Sequence, residues 1–364
     1  MNIMPERTDS IMLDPSTESV LVVRLKALGD IVLSLPLVNS LRRSFPEARI
    51  DYLCLEGYGE ATGENRDLDS VIEFRKGILS QAELMLRLRR TEYDLAIDLI
   101  SSPRSSVITL FSGADMRIGM DVGRHNFCYH KVLPRTISRN GRRVRCYTMD
   151  ANREIARMLN LKSDQWADSD NMYRIDFATT EGDRKWTEEL LSGTNGGVEG
   201  YIGIVPAAKY EAKRWPLESF SEFVKMLTEQ TGYIPVMIWG PGEEETVDYI
   251  VRENPGALKP PLIGISRLGG LIGRMDCLVG VDSGPKHLAV IQGVPTLTLF
   301  GPTDPEVWDP MTERHRVIRK DLDCAPCSLT ECPSVECMKS ITVWEVFEET
   351  VRLLKWKKGE SAID

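Results

Sequence analysis

Short, largely apolar runs alternate along this chain with stretches whose apolar residues recur at helical spacing. Residues 20–25 form the first, a short β-rich run that reads as a strand. A Lys-Ala-Leu-Gly-Asp segment follows, and then a helical pattern over 31–45, where Pro36 predicts a kink. Residues 50–55, 71–74 and 93–100 read as further strands, and 81–90 and 145–161 as helices. Residues 162–180 are polar and acidic, which predicts a linker. The alternation then restarts. Strands are expected at 201–205, 234–239, 277–281 and 296–300, with helices at 217–230, 243–252, 266–274 and 343–355. Strands separated by helices indicate parallel sheets covered on both faces. The predicted fold class is therefore α/β, two Rossmann-like doubly wound domains with a cleft between them. The expected domains are 20–180 and 181–340, preceded by a disordered polar leader at 1–19 and followed by a C-terminal helix and tail at 341–364.

Composition narrows the partners. At 364 residues the length suits two domains, and 42% hydrophobic with 27% charged residues is ordinary for a water-soluble globular chain. A formal net charge of -9 argues against general nucleic-acid binding. No apolar run reaches the length of a membrane span, and the N-terminal stretch lacks the apolar core of a signal peptide. A cytoplasmic location is the expectation, with the eight cysteines as thiols or ligands rather than disulfides.

The densest candidate chemistry lies in Val281-Asp282-Ser283-Gly284-Pro285-Lys286-His287. An apolar strand ends there in Asp-Ser-Gly and a helical pattern begins. In open α/β sheets ligands bind at the carboxyl ends of strands. Ser283 is placed to cap the helix, and the free amides of a helix start attract anions such as a diphosphate. The next strand ends in Gly301-Pro302-Thr303-Asp304, a second loop on the same edge. Asp30 follows Gly29 at another strand end, as either a helix cap or a general base. Asn would serve as the cap but cannot take a proton. Lys209 and Lys213 follow the strand at 201–205 and are either phosphate contacts or part of a solvated basic turn. Gly240-Pro241-Gly242 precedes three glutamates that would repel phosphate, so a plain turn or a nucleoside contact is expected there. His287 is open to three readings, a proton carrier, a phosphate contact or a packed core histidine.

Two segments stand apart from this edge. Cys324, Cys327, Cys332 and Cys337 fall within fourteen residues. Four thiolates are a zinc donor set, but the spacing is not the usual pair of CxxC knuckles, so free thiols are favoured. His125, Cys128 and His130 alternate with aromatics and read as structural residues of a strand. Residues 131–149 hold Lys131, Arg135, Arg139, Arg142, Arg143 and Arg145, either a contact for anionic lipid or a solvated loop.

Three segments in order resemble bacterial glycosyltransferase family 9, the lipopolysaccharide heptosyltransferases. VLVVRLKALGDIVLSLPLVNSLRRSFPEARIDYL is similar to the family's opening strand, Gly-Asp loop and helix. GIVPAAKYEAKRWPLESF is similar to its Lys-Arg-Trp-Pro segment. LVGVDSGPKHLAVIQGVPTLTLFGPTDPEVWDP is similar to its Asp-Ser-Gly-x-x-His signature and Phe-Gly-Pro-Thr loop. The resemblance implies a GT-B fold and a metal-independent, inverting transfer of heptose from ADP-heptose to a lipid-linked oligosaccharide core. It implies Asp30 as the catalytic base, Lys213 on the donor phosphate, Asp282 on the donor sugar, and Ser283 and Gly284 on the diphosphate. It further implies action at the cytoplasmic face of the inner membrane, with peripheral membrane contact. The chain departs from the pattern at Lys26-Ala27-Leu28, where many members carry small hydroxyl residues. Cysteine-rich segments near the C-terminus also occur in family members. The competing readings are a GT-B transferase for another nucleotide sugar, or a silent nucleotide-sugar-binding scaffold.

Overall fold

The computed structural model describes residues 6–7, 10–134, 137–139, 142–144, 146–162, 173–175, 177, 179–193 and 197–359. The chain divides into two compact units, Met1–Ile175 and Asp176–Asp364.

The first unit is built on a seven-stranded, wholly parallel sheet. Its strands are β1 (Glu6–Arg7), β2 (Ser19–Val23), β3 (Arg49–Leu55), β4 (Ser70–Phe74), β5 (Leu95–Asp98), β6 (Met116–Met120) and β7 (Lys131–Leu133). They run in the order β1-β7-β6-β5-β2-β3-β4. A short antiparallel ribbon, β8 (Ile137–Arg139) with β9 (Arg142–Val144), follows. The helices are α1 (Leu28–Val32), α2 (Leu35–Ser44), α3 (Ile78–Thr91), α4 (Pro103–Phe111) and α5 (Thr148–Met158). Leu21, Val23, Leu53 and Leu55, alternate residues of β2 and β3, pack with Leu84 and Leu88 of α3 and Ile108 of α4. That places α3 and α4 on one face of the sheet. From β3, Tyr52 meets Ser34, at the junction of α1 and α2, at 2.7 Å. Asn152 of α5 donates to the Leu33 carbonyl at 2.6 Å.

The second unit has a five-stranded parallel sheet: β10 (Gly200–Val205), β11 (Tyr233–Met237), β12 (Cys277–Val281), β13 (Thr296–Phe300) and β14 (His315–Arg319), in the order β11-β10-β12-β13-β14. Its helices are α6 (Glu181–Ser192), α7 (Leu217–Gln230), α8 (Glu244–Glu253), α9 (Ile265–Ile272), α10 (Gly284–Ile291), α11 (Pro305–Trp308), α12 (Glu336–Lys339) and α13 (Val343–Lys357). Every residue of β12 and β13 is buried; β12 is accordingly apolar throughout, and β13 alternates Thr296 and Thr298 with apolar residues. Trp215 anchors one face. It lies edge-on to Phe220 at 4.9 Å between ring centres and donates to the Ile341 carbonyl at 3.0 Å. At Gly280 the chains run so close that a Cβ would sit 2.3 Å from the Val205 carbonyl oxygen. No helix among the described residues is long and apolar enough to cross a membrane.

Several expectations need correction. The helix predicted over 31–45 is two helices, with Pro36 in the first turn of α2, where its missing N–H costs nothing. The predicted leader contains β1, paired with β7, and Ile11 is buried with its amide on the Met158 carbonyl at 2.7 Å. Asn126–Cys128 forms a 3-10 turn, not the expected strand, so His125 and Cys128 are not in register with a sheet. Of the basic stretch, Arg135 and Arg145 lie outside the described residues.

Candidate active site

In a doubly wound sheet the first strand is flanked by later strands on both sides, and loops part at that point to leave a crevice. The first unit has its switch between β2 and β5, and the second has its switch between β10 and β12. The candidate residues of each unit fall at these positions.

In the first unit Arg24 leaves the end of β2 and spans the switch. Its Nη1 donates to the Leu99 carbonyl, just past β5, at 2.6 Å, and its Nη2 pairs with Asp30 Oδ1 at 2.6 Å. Asp30 is not the cap of its helix. Ala27 holds that position, and Asp30 sits three residues in, its Oδ2 accepting the Ala27 amide at 3.3 Å. Asp30 therefore braces the helix start as the acid of a capping box does, while its side chain keeps 19% exposure. Sequence reasoning passed over Arg24; a cation at a strand end six residues before an acid was the available signal.

In the second unit the network centres on Asp282, which is 4% exposed at the end of β12. Lys213, from the 3-10 turn Glu211–Lys213 after β10, donates to Asp282 Oδ2 at 2.7 Å across the switch. Thr303, from the loop after β13, donates to the same oxygen at 2.9 Å. Lys286, one turn into α10, donates to Oδ1 at 3.0 Å. Burial by itself would raise the pKa of Asp282, but the ammonium groups of Lys286 and Lys213 overcome it and hold the carboxyl well below its usual range. Lys286 is itself 2% exposed. It also donates to the Trp308 carbonyl at 2.5 Å, lies 3.5 Å from Asp309, and stands over the Phe300 ring. Burial pushes Asp309 up to about 6, against the pull of Lys286. Burial, then Lys286, drive His287 well below its ordinary value, so it is neutral at pH 7. Sequence reasoning did not assign Lys286, Thr303 or Asp309. Lys286, four residues after Asp282, was legible as a helical pair; Asp309 carried no local signal.

Ser283 occupies the cap position of α10, yet its side chain makes no cap hydrogen bond. Its Oγ is buried without a hydrogen-bond partner among the described residues. Gly284 and Lys286 follow in the first turn, where amides lack intrahelical acceptors. A hydroxyl, free amides and the Lys213 ammonium thus converge on the β12–α10 turn, the donor set a diphosphate needs. Lys209 is exposed, with its ammonium 5.6 Å from the centre of the Tyr210 ring, outside the Asp282 network.

A cavity of about 870 Å³ opens past the end of β11, on the same sheet edge, lined by Trp239, Pro241, Glu244, Lys259, Pro260 and Leu262 among others. Trp239 is fixed by a bond from its indole N–H to the Pro260 carbonyl at 2.9 Å, and Lys259 stands over its ring. Glu243 turns back to accept the Gly240 amide at 2.8 Å, so this glycine loop is closed by its own acid and is not a phosphate loop.

The cysteine-rich segment packs behind the site. The Ser328 amide donates to the Pro302 carbonyl at 2.7 Å and the Ala212 amide to the Thr330 carbonyl at 3.2 Å. It thereby supports the turns that carry Thr303 and Lys213. Cys324 and Cys327 are exposed, Cys337 is buried, and all four thiols are free. Among the described residues no group of three or more His, Cys, Asp or Glu is placed to hold a metal ion, these cysteines included.

A model of glycosyltransferase family 9 (heptosyltransferase) matches residues 82–337. The chain belongs to that family. It is 27% identical over 300 residues to lipopolysaccharide heptosyltransferase 3 of Escherichia coli K12, covering 78% of this chain and 83% of that one. It is 25% identical over 328 residues to lipopolysaccharide heptosyltransferase 1 of Pseudomonas aeruginosa, covering 86% and 87%. The E. coli ADP-heptose lps heptosyltransferase II structure superposes with a TM-score of 0.74 at 21% identity, over 93% of this chain and 99% of that one. Both units have the doubly wound build of a GT-B glycosyltransferase, and the family 9 membership makes the protein a glycosyltransferase.

Proposed function

We propose that the protein transfers heptose from ADP-heptose to a hydroxyl of a lipid-linked, lipopolysaccharide-core type acceptor, with inversion and without a metal, at the cytoplasmic face of the inner membrane. The observation that carries this reading is the β12–α10 turn. The unpartnered Ser283 hydroxyl, the first amides of α10 and Lys213 form an anion cradle at a switch point, in a chain of a heptosyltransferase family. The relatives' names supply heptose and lipopolysaccharide, and one solved relative's title names ADP-heptose.

In this reading the donor diphosphate lies on the cradle, and the adenosine extends toward the Trp239 cavity, where an indole face and the Lys259 stem suit a flat heterocycle. The acceptor oxygen attacks the anomeric carbon as Asp30 takes its proton. The bond from that carbon to the diphosphate oxygen breaks, and ADP leaves with the electron pair. Lys213 and the α10 amides stabilise the charge gathering on the leaving group. Asp282 takes a role other than sugar contact. It is buried and both its oxygens already accept, so it acts by aiming Lys213 and fixing the turn. His287, buried and neutral, supports the turn from behind.

Calorimetry with ADP, UDP, GDP and CDP in the presence of a chelator tests the reading. ADP is expected to bind tightest, and Lys213→Ala to weaken it by about tenfold or more, the loss of one charge-assisted contact. Preference for another nucleotide would replace the donor. An unchanged ADP constant in Lys213→Ala would remove Lys213 from the cradle.

A further inference from the structure

We propose that the outer surface of α3, α4 and the turn at Asn126–Cys128 is a docking face for an anionic lipid surface. The face is defined by helical periodicity. Leu84 and Leu88 of α3 point into the sheet, so the opposite stripe carries Leu79, Leu86 and Arg90. Ser105, Ile108 and Thr109 of α4 are buried, so its opposite stripe carries Arg104, Val107 and Phe111. Both helices pack on the same sheet face and lie side by side, and the turn bearing Phe127 borders α4. The two stripes and Phe127 therefore look outward together.

What they present is unusual for a solvated surface. Leu79 is 80% exposed, Phe127 69%, Leu86 60% and Phe111 50%, and Val107 is exposed beside them. Isolated apolar side chains on a surface need no explanation, but a group of large ones on adjoining elements marks an interaction site. The charge around them selects the partner. Segments 76–90, 103–111 and 124–127 hold Lys76, Arg87, Arg89, Arg90, Arg104 and Arg124, all exposed, against one acid, Glu83. This stands out in a chain of net charge -9. Leucine and phenylalanine ringed by arginine is the composition of a surface that lies in the headgroup layer of an anionic bilayer. The contact falls on different residues from the basic stretch at 131–149. Its biological sense rests on the reading of the acceptor as lipid-linked, which it extends by assigning the face that meets the lipid.

The test is co-sedimentation of the full chain with vesicles of phosphatidylcholine and phosphatidylglycerol at about two to one, and with phosphatidylcholine alone. The wild type is expected to pellet with the anionic vesicles and far less with the neutral ones, and to be released by salt. Leu86→Glu/Phe111→Glu and Arg104→Ser/Arg124→Ser should each weaken partitioning by about tenfold or more. Trp344→Ser, an exposed aromatic of the second unit, should leave it unchanged. Calorimetric ADP binding and circular dichroism of the same variants report that they are folded. Wild-type binding to anionic vesicles that survives both double substitutions overturns the proposal, as does a wild type that ignores anionic vesicles. A change in oligomeric state by light scattering with vesicle binding intact also overturns it, assigning the face to a second copy of the chain. Turnover of ADP-heptose on a deacylated, water-soluble acceptor tests the proposed reaction separately, and its failure leaves the vesicle result readable.

Discussion

Asp282→Asn tests the second unit's network most directly. The change keeps the shape and one carbonyl acceptor but removes the charge that both lysines face. Lys213, at 18% exposure, can turn toward solvent. Lys286, at 2%, cannot, and of charged partners keeps Asp309 at 3.5 Å, beside the neutral Trp308 carbonyl, the carbonyl of the new amide and the Phe300 ring. Stranding a buried charge by removing its partner costs about 3–5 kcal/mol. Because Asp309 remains nearby, about 2–3 kcal/mol is the expected loss, which shifts a urea midpoint down by about 1–1.5 M at roughly 2 kcal/mol per M. The second substitution decides whether the charge is the cause. Lys286→Met supplies a similar apolar stem without the ammonium, so the double variant Asp282→Asn/Lys286→Met should recover about half the loss or more. Urea unfolding followed by tryptophan fluorescence measures both. A loss under about 0.5 kcal/mol in the single variant, or a double variant whose losses simply add, would refute the buried-network reasoning. ADP affinity read on the same proteins separates the roles. The aiming of Lys213 depends on Asp282, so the single variant should bind ADP more weakly even in the absence of denaturant.

The remaining expectations are briefer. Asp30→Asn should fold, since Asn can accept the Ala27 amide and Arg24 keeps the Leu99 carbonyl, with a loss of about 1 kcal/mol from the Arg24 pair, and bind ADP as wild type does, while turnover falls by about 10²–10⁴; retained turnover removes Asp30 as base. Unit stability should fall as pH drops below about 6.5. Burial depresses His287 well below its ordinary value and His315 to about 3, so both are neutral in the folded state but take up protons once unfolded. Their contribution is present above the unfolded pKa and is lost toward the folded one, at about 1.4 kcal/mol per pH unit for each histidine. Asp309, raised to about 6, works the other way between its unfolded value and about 6, so over that range it offsets about one of the two histidines and the net loss is about that of a single histidine. His315→Asn should flatten the slope measured by urea unfolding at stepped pH; an unchanged slope would sink the assignment.

How much of this was legible beforehand follows from how local each signal was. Fully buried β12 announced itself as an apolar run and β13 as a β-rich one, and their Asp-Ser-Gly and Gly-Pro-Thr ends marked the candidate ligand-binding edge. Strand β6, with Arg117 as its second residue, and β14, with two arginines, were missed because charge interrupts the apolar pattern. The same limit applies to the site. Asp282 and Ser283 were conspicuous because strand and helix meet there. That Thr303 and Lys213 both close on Asp282 Oδ2 depends on pairing between strands far apart in sequence. Ser283 shows the reverse error. Residue type predicted a cap, and the folded turn leaves its hydroxyl without a partner among the described residues, which is what the proposed diphosphate cradle requires.

The two switch points use one geometric rule for opposite electrostatic ends. In the first unit a cation, Arg24, bridges the loops and an acid, Asp30, stands at its partly open end. In the second an acid, Asp282, bridges the loops and a cation, Lys213, stands at its partly open end. In each pair the bridging residue is the more buried one and has further bonds to backbone or side chain, so it fixes the position of its partner. A group whose place is set by a buried counter-charge costs little further ordering when a ligand arrives. That is what glycosyl transfer asks of a base and of a diphosphate clamp. It also accounts for why Arg24 and Asp282, the more buried member of each pair, should be as intolerant of substitution as Asp30 and Lys213, the two proposed to meet the substrates.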